Sequence, residues 1–426
     1  MSTARRVAIL GGVRIPFCKN NTAYFDVGNL GMSIKTLGAL VEKFGLQGEV
    51  LGEVAMGAVL KHSSDWNLGR EAALSSGLSP LTPGITLQRA CGTGLDTVIT
   101  VANKIALGQI EVGIGGGSDT TSDVPIAVNK RLRRRLLNLN MARSFGQRLG
   151  AAVKGFSFSE FKPEFPGVSE PRTGKSMGEH CEMMAKEWQI ARADQDELAY
   201  RSHKNAAAAY ERGFFKDLVV PFRGLERDNI LRADTTMEKL ATLKPAFDKT
   251  SGQGTLTAGN STNLSDGASA ALLASEDWAR AHGKDIQAWL VDAQVAAVDF
   301  EHGEGLLMAP TVAVAQILKR NNLTLQDFDF YEIHEAFAAQ VLCTLKAWES
   351  EEYCKSRLGL DGALGSIDRS KLNVVGSSLA VGHPFAATGA RIVATAAKLL
   401  AERGSGRVLI SICTAGGMGV VAIVER

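Results

Sequence analysis

Hydrophobic and polar positions along the chain follow two alternating periods. Residues 7–12 form a short apolar run that reads as a buried strand, and residues 30–44 repeat their apolar positions at helical spacing. Residues 53–60, rich in small side chains, predict a second strand. Residues 94–107 carry Val98, Val101, Ala102 and Ile105 on one helical face, Gly108 stops that helix, and 112–114 reads as the next strand. Strands alternating with helices predict an α/β fold, with a mostly parallel sheet covered on both faces.

The same wiring returns near the C-terminus. Residues 372–375 predict a strand, 376–384 a glycine-bearing loop, 386–402 a helix stopped by Gly404, 407–412 a strand and 414–419 a glycine turn. The stretch 91–107 followed by 111–117 has the same order. In each half a chemically reactive residue sits just ahead of a helix, and glycines follow the next strand. The chain therefore divides into an N-terminal half, 1–123 completed by about 254–278, and a related C-terminal half, 279–426, with 124–253 inserted between them. The insertion opens on a basic run (Lys130, Arg131, Arg133, Arg134, Arg135), continues through Phe156, Phe158, Phe161 and Phe165, and then predicts helices over 176–188 and 193–211. An insertion laid over sheet domains is where substrate selection commonly resides.

Composition narrows the picture. The 426 residues are 45% hydrophobic and 22% charged, and 47 Lys+Arg against 45 Asp+Glu leave a net charge of +2. No global field is present to hold nucleic acid, which is excluded as a partner. Forty-five glycines beside only 11 prolines, without a G-x-y period, mean tight turns and close backbone approaches. The six cysteines contain no C-x-x-C pair, so neither a disulfide framework nor a cysteine metal site is expected. The apolar core of the N-terminal stretch, 7–13, is too short for a signal peptide. Gly416, Gly417 and Gly419 interrupt the apolar tail 408–424, which reads as strand, turn and strand rather than a membrane span. A cytoplasmic protein is expected.

Four segments carry candidate chemistry. Cys91, in Gln88-Arg89-Ala90-Cys91-Gly92-Thr93-Gly94, directly precedes a predicted helix, whose free N–H groups and dipole favour a thiolate. The competing reading is a small buried cysteine near a helix start. His383, in Gly382-His383-Pro384-Phe385, occupies the matching place in the second half. Two related helix N-termini would bring it to Cys91 as the base of a nucleophile, unless it is a structural histidine. Cys413 precedes Thr414-Ala415-Gly416-Gly417, where a second thiol would move a proton and glycine-exposed N–H groups would bind an oxyanion; otherwise it is a strand-end core cysteine. His334, in Glu332-Ile333-His334-Glu335-Ala336-Phe337, is either a donor to a developing oxyanion or a cap-region histidine.

Together these segments, with Ala258-Gly259-Asn260-Ser261 and Ser265-Asp266-Gly267-Ala268, resemble the thiolases over essentially the whole chain. The resemblance implies two βαβαβαββ halves forming a layered αβαβα core with an inserted loop domain. It also implies CoA-dependent cleavage of 3-ketoacyl-CoA, or the reverse condensation, through an acyl-cysteine. By that resemblance Cys91 takes the acyl group, His383 activates it and Cys413 is the second acid/base thiol. His383 and position 334 shape one oxyanion hole, and the backbone N–H groups of Cys91 and Ala415 the other. Most thiolases have asparagine at position 334, holding a water; His334 suggests direct donation by an imidazole. That variant, with the stretches 138–147 and 163–170, resembles the thiolase β subunit of fatty-acid oxidation complexes. Met177 and Thr262 match positions lining the pantetheine arm, or are plain packing. Coenzyme A is a substrate, and no metal or other cofactor is implied. A homodimer or tetramer and a hydratase–dehydrogenase partner subunit are implied.

Four questions stay open in the sequence. The basic run is a solvated face, a CoA-phosphate contact, or a partner or membrane contact. The phenylalanines line an acyl pocket or form the insertion's own core. The acyl preference is long or, as in a biosynthetic acetoacetyl-CoA thiolase, short. A 3-ketoacyl synthase with a Cys-His-His triad, or a non-catalytic acyl-CoA-binding subunit, is the rival on the same fold. Cys413 speaks against both, because neither needs a second acid/base thiol.

Overall fold

The computed structural model describes residues 4–167 and 169–426. Residues 1–3, at the head of the N-terminal stretch, and residue 168, within 163–170, lie outside the described residues. Nine strands build the core: β1 Val7–Arg14, β2 Glu53–Gly57, β3 Gly84–Leu87, β4 Val112–Asp119, β5 Ser265–Ser275, β6 Ala288–Ala297, β7 Phe330–Ile333, β8 Arg407–Thr414 and β9 Met418–Glu425. The first half is ordered β3-β2-β4-β5-β1 and the second β7-β8-β9-β6, with β1 and β6 pairing where the halves meet.

The pairing is mixed, not mostly parallel as the strand–helix alternation suggested. β2 runs parallel to β3 and β4, and β7 parallel to β8; the β4–β5, β5–β1, β8–β9 and β9–β6 pairs are antiparallel. The physical reason is the connections. β8 and β9 are joined by a tight glycine turn, with Gly416 and Gly417 both at left-handed φ, and only antiparallel strands accept so short a link. β4 and β5 are joined through the whole insertion, which returns the chain alongside β4 from its far end.

A second correction concerns 372–375, which forms no strand. One parallel bridge, Tyr331 to Leu372, remains at the place β3 occupies in the first half. Asn373 sits at φ 47°, which breaks an extended run. Its side chain supplies the lost pairing: Asn373 Oδ1 accepts from Ile333 N at 2.9 Å and Nδ2 donates to Ile333 O at 2.9 Å. The loop predicted at 376–384 also contains one helical turn, Ser378–Val381.

Helices α1 (Asn29–Phe44), α2 (Leu68–Leu74) and α3 (Thr93–Ala106) belong to the first half; α4 (Lys130–Met141), α5 (Phe145–Val153), α6 (Met177–Glu187) and α7 (Arg192–Glu211) to the insertion; α8 (Ala309–Asn321), α9 (Ala338–Glu349) and α10 (Thr388–Arg403) to the second half. Strand alternation sorts the side chains into layers. Ile9, Leu273, Ile410 and Val424 face inward onto Leu95, Val98 and Ile105 of α3 and Ile392, Val393 and Leu400 of α10. Leu10, Val54 and Leu272 face the other way, onto Leu37, Leu40 and Val41 of α1. Leu409 and Ile423 pack on Val314 and Ile317 of α8 and on Leu345 and Trp348 of α9. The result is an αβαβα sandwich whose central layer is the α3–α10 pair.

That pair is close because of two glycines. A Cβ on Gly94 would run into the Ala386 carbonyl oxygen, and one on Gly389 into the backbone N of Leu95. The two helix N-termini, with Cys91 just ahead of one and His383 just ahead of the other, therefore touch.

The insertion has two parts. α6 and α7 pack onto the core through residues such as Cys181, Met184, Ala199 and Ala206. α4 and α5 bury no side chain. Phe156, Phe158, Phe161 and Phe165 are all exposed, Phe158 by 84%, so they are not a buried core of the insertion. The segment is a short hairpin with too few contacts to bury them. Arg135 is spent holding it: Nε and Nη2 each reach the Glu160 carboxylate at 2.6 Å, and Nη1 caps the Ala151 and Ala152 carbonyls at 2.8 Å. Among the described residues no helix is long and apolar enough to cross a membrane.

Candidate active site

The chain turns sharply before α3. Ala90 sits at φ 42°, a left-handed conformation that costs a residue with a Cβ roughly 1–2 kcal/mol. Thr93 pins the turn, its hydroxyl accepting from Arg89 N and donating to Ala90 O, both at 2.7 Å. The turn delivers Cys91, half-buried, to the centre of the molecule, where Sγ, one imidazole nitrogen of His334 and one of His383 lie within 4.8 Å of one another. The two rings are 4.1 Å apart, centroid to centroid.

Both imidazoles are oriented through Nδ1. His383 Nδ1 is 2.6 Å from Thr388 Oγ1, at the first residue of α10, and His334 Nδ1 is 2.8 Å from Ser378 Oγ. Backbone bonds fix their main chains: His383 N donates to Ser265 Oγ at 3.2 Å and His334 N to Ser411 O at 2.8 Å. Nε2 of each ring is buried and without a protein partner. Two unpartnered buried nitrogens beside a thiol are an unusual expense, since such groups normally find a partner.

The electrostatics correct one expectation. The helix N-terminus was expected to favour a Cys91 thiolate, yet burial pushes the thiol up to about 12; the Ala415 N–H pulls the other way, and Asp119 adds to the rise. Desolvation outweighs the backbone N–H groups that favour the thiolate. Asp119, buried at the end of β4, is itself pushed up to about 7 by burial while accepting N–H bonds from Val59, Leu60 and Ala386. Burial, reinforced by Arg391, brings His383 down to about 3, and burial with His383 and Arg391 nearby holds His334 well below the ordinary imidazole range. The resting centre is a neutral thiol facing two neutral imidazoles.

Cys413 is the penultimate residue of β8, buried; burial first and the proximity of Cys91 second hold its thiol well above the ordinary range. The next residues form the glycine turn, whose Gly416 N–H donates to Glu170 Oε1 of the insertion at 2.6 Å. Met177, the first residue of α6, packs against the apolar cluster containing Cys413 and Phe337. Thr262 is tied to the 334–337 loop, its N and Oγ1 both donating to Ala336 O at 3.1 and 3.0 Å. The first residues read from the sequence thus converge: Cys91, His334 and His383 directly, with the Ala415 backbone near enough to pull the Cys91 thiol down. Ser378, Thr388, Arg391, Asp119 and Glu170 were not read. Thr388 alone carried a signal, a hydroxyl five residues beyond His383 at a helix start.

Comparison with known proteins then fixes the family. Residues 7–277 match the family model "Thiolase, N-terminal domain", and residues 284–426 match "Thiolase, C-terminal domain". The chain belongs to the thiolase family. It is 41% identical over 426 residues to the 3-ketoacyl-CoA thiolase of Shewanella sediminis and 40% identical to that of Shewanella loihica, covering 99% of this chain and 97% of each relative. Its fold superposes on the crystal structure of the Bacillus anthracis acetyl-CoA acetyltransferase with a TM-score of 0.82 at 32% identity, over 100% of both chains.

Proposed function

We propose that the chain is a 3-ketoacyl-CoA thiolase of fatty-acid degradation. The observation that carries the reading is the centre itself: the Cys91 thiol and one nitrogen of each of two imidazoles within 4.8 Å of one another, with both Nε2 atoms buried and unpartnered. His383 Nε2 takes the Cys91 proton as the sulfur attacks the 3-keto carbon. The oxyanion so formed is held by preorganised donors, each worth on the order of 3 kcal/mol. Collapse breaks the C2–C3 bond, and acetyl-CoA leaves as an enolate that takes a proton from Cys413. The Cys413 thiolate then deprotonates an incoming CoA, whose sulfur attacks the acyl-cysteine. Shortened acyl-CoA departs and His383 returns its proton to Cys91. His334 and His383 form one oxyanion pocket, and the N–H groups of Cys91 and Ala415 the other. Met177 and Thr262 border the pantetheine arm. Coenzyme A is a substrate, and every proton and electron pair in the cycle is supplied by these residues, the 3-ketoacyl-CoA and the incoming CoA thiol.

CoA-dependent cleavage of 3-ketoacyl-CoA from four to sixteen carbons tests this on the wild type and Cys91→Ala. Cleavage that requires Cys91 and extends to long chains is expected. Activity confined to acetoacetyl-CoA would replace the degradative role with a short-chain, biosynthetic one. Absence of cleavage would return the chain to a synthase or an acyl-CoA binder.

The enzyme works in the cytoplasm as a homodimer or tetramer, beside a hydratase–dehydrogenase subunit; the resemblance to oxidation-complex β subunits supports this. The α4–α5 hairpin is read as its contact with an anionic lipid surface. Lys130, Arg131, Arg133 and Arg134 lie beside Leu137, Met141, Phe145 and Val153, all four exposed by half or more. Mixed cationic and apolar faces of this kind seat at a bilayer interface. Sedimentation with vesicles containing phosphatidylglycerol, lost in Arg131→Glu/Arg134→Glu, is expected. Unbound protein whose oligomer dissociates on the same change would make the hairpin an interface between copies instead.

A further inference from the structure

The two imidazoles have opposite tasks. A base needs a lone pair at Nε2, an oxyanion donor needs an N–H there, and a neutral ring carries a single proton. The tautomer therefore decides which ring does which, and the group bonded to Nδ1 decides the tautomer.

For His334 that group is Ser378, whose hydroxyl has one other hydrogen-bond partner among the described residues. Arg391 Nη2 lies 2.9 Å from Ser378 Oγ, and Arg391 Nη1 lies 3.4 Å from Ser377 Oγ. A guanidinium only donates, so the Ser378 oxygen accepts from Arg391 and its own O–H is left for His334 Nδ1. An accepting Nδ1 puts the ring's proton on Nε2, the nitrogen that has no protein partner, in a ring 4.1 Å from that of His383 and clustered with Cys91. His334, Ser378 and Arg391 are all buried, so water does not compete for these bonds. Burial lowers Arg391 to about 10, with Glu332 and Glu335 opposing the drop, which leaves it charged and donating at neutral pH. His383 has no such relay: Thr388 is its only Nδ1 neighbour among the described residues, and no guanidinium fixes that hydroxyl as a donor, so it is free to accept from Nδ1–H and leave Nε2 its lone pair.

We propose that Ser378 and Arg391 are positioning residues that fix His334 as an N–H donor, so that His383 alone acts as base. The proposal rests on the thiolase reading and explains how a histidine serves where an asparagine would need no relay, since an amide carries its donors in every state.

Ser378→Ala, in the wild type and in a His334→Asn background, tests it through steady-state cleavage. In the wild type kcat is expected to fall about ten-fold or more, with KM and melting temperature nearly unchanged and with recovery in Ser378→Thr; outright loss of an oxyanion donor costs roughly 10²–10³. In the His334→Asn background the same change is expected to alter kcat by less than about two-fold, because the coupling partner is gone. An equal loss in both backgrounds, or a wild-type kcat unmoved by Ser378→Ala, would overturn the proposal. Should His334→Asn be inactive, equal kcat in Ser378→Ala and Ser378→Thr overturns it. A wild type that cleaves no 3-ketoacyl-CoA would sink the thiolase reading itself, a different result.

Discussion

At Cys413 the protein keeps a proton on sulfur by two means, burial and the neighbouring Cys91 thiol. An acid poised in that way serves a carbanion, which is why Cys413→Ala is expected to lower turnover by roughly 10²–10⁴. Alkylation of Cys91 by iodoacetamide should persist in the variant; turnover within ten-fold of wild type would remove Cys413 from the cycle. Glu332 offers a second test. Buried, with neither carboxylate oxygen partnered, it is pushed from 4.5 up to about 8, opposed by Arg391. Its folded form holds a proton that the unfolded chain has lost, so its contribution to stability is complete below about 4.5 and disappears as pH rises through about 8. Melting temperature should therefore fall between those limits, and Glu332→Gln should flatten the slope; parallel curves would contradict this. The sequence made Cys91, His383 and His334 legible because each sits in a compact local motif. Ser378 and Arg391 were invisible, since they reach His334 through space, and the raised Cys91 thiol was misjudged because desolvation has no sequence signature.

Elements are placed here by what they lack. Gly94 and Gly389 let α3 and α10 cross with backbones in contact, and that crossing sets the distance between the Cys91 and His383 loops. Gly389→Ala adds a methyl against the Leu95 backbone, where overpacking costs typically about 1–3 kcal/mol. The expected outcome is a lowered melting temperature together with a larger fall in kcat than in KM; a stable, fully active variant would show that the crossing has slack. The helices α1, α3, α6, α7 and α10 were readable to within two residues, whereas α2, α4, α5, α8 and α9 were not read. The strand predicted at 372–375 was not, because Asn373 replaces ladder bonds with its own amide, a substitution that apolar pattern does not reveal.

At the scale of the whole molecule, repetition was the most informative signal. The order β3-β2-β4-β5-β1 and its counterpart β7-β8-β9-β6 repeat one topology, and the halves meet so that equivalent helix starts converge. Strand direction was misread because the alternation of strands and helices says nothing of where a long insertion returns. Of the two readings left open for Phe156, Phe158, Phe161 and Phe165, their exposure excludes the insertion's own core, because counting aromatics does not show whether enough chain surrounds them to bury them. The central claim is that this convergence exists to form an acyl-cysteine. Intact-mass analysis after mixing the protein with 3-ketohexadecanoyl-CoA, without added CoA, tests it most directly. The account predicts a tetradecanoyl adduct on Cys91 with release of one acetyl-CoA, absent in Cys91→Ala. An unmodified protein, or an adduct on any other cysteine, would contradict it.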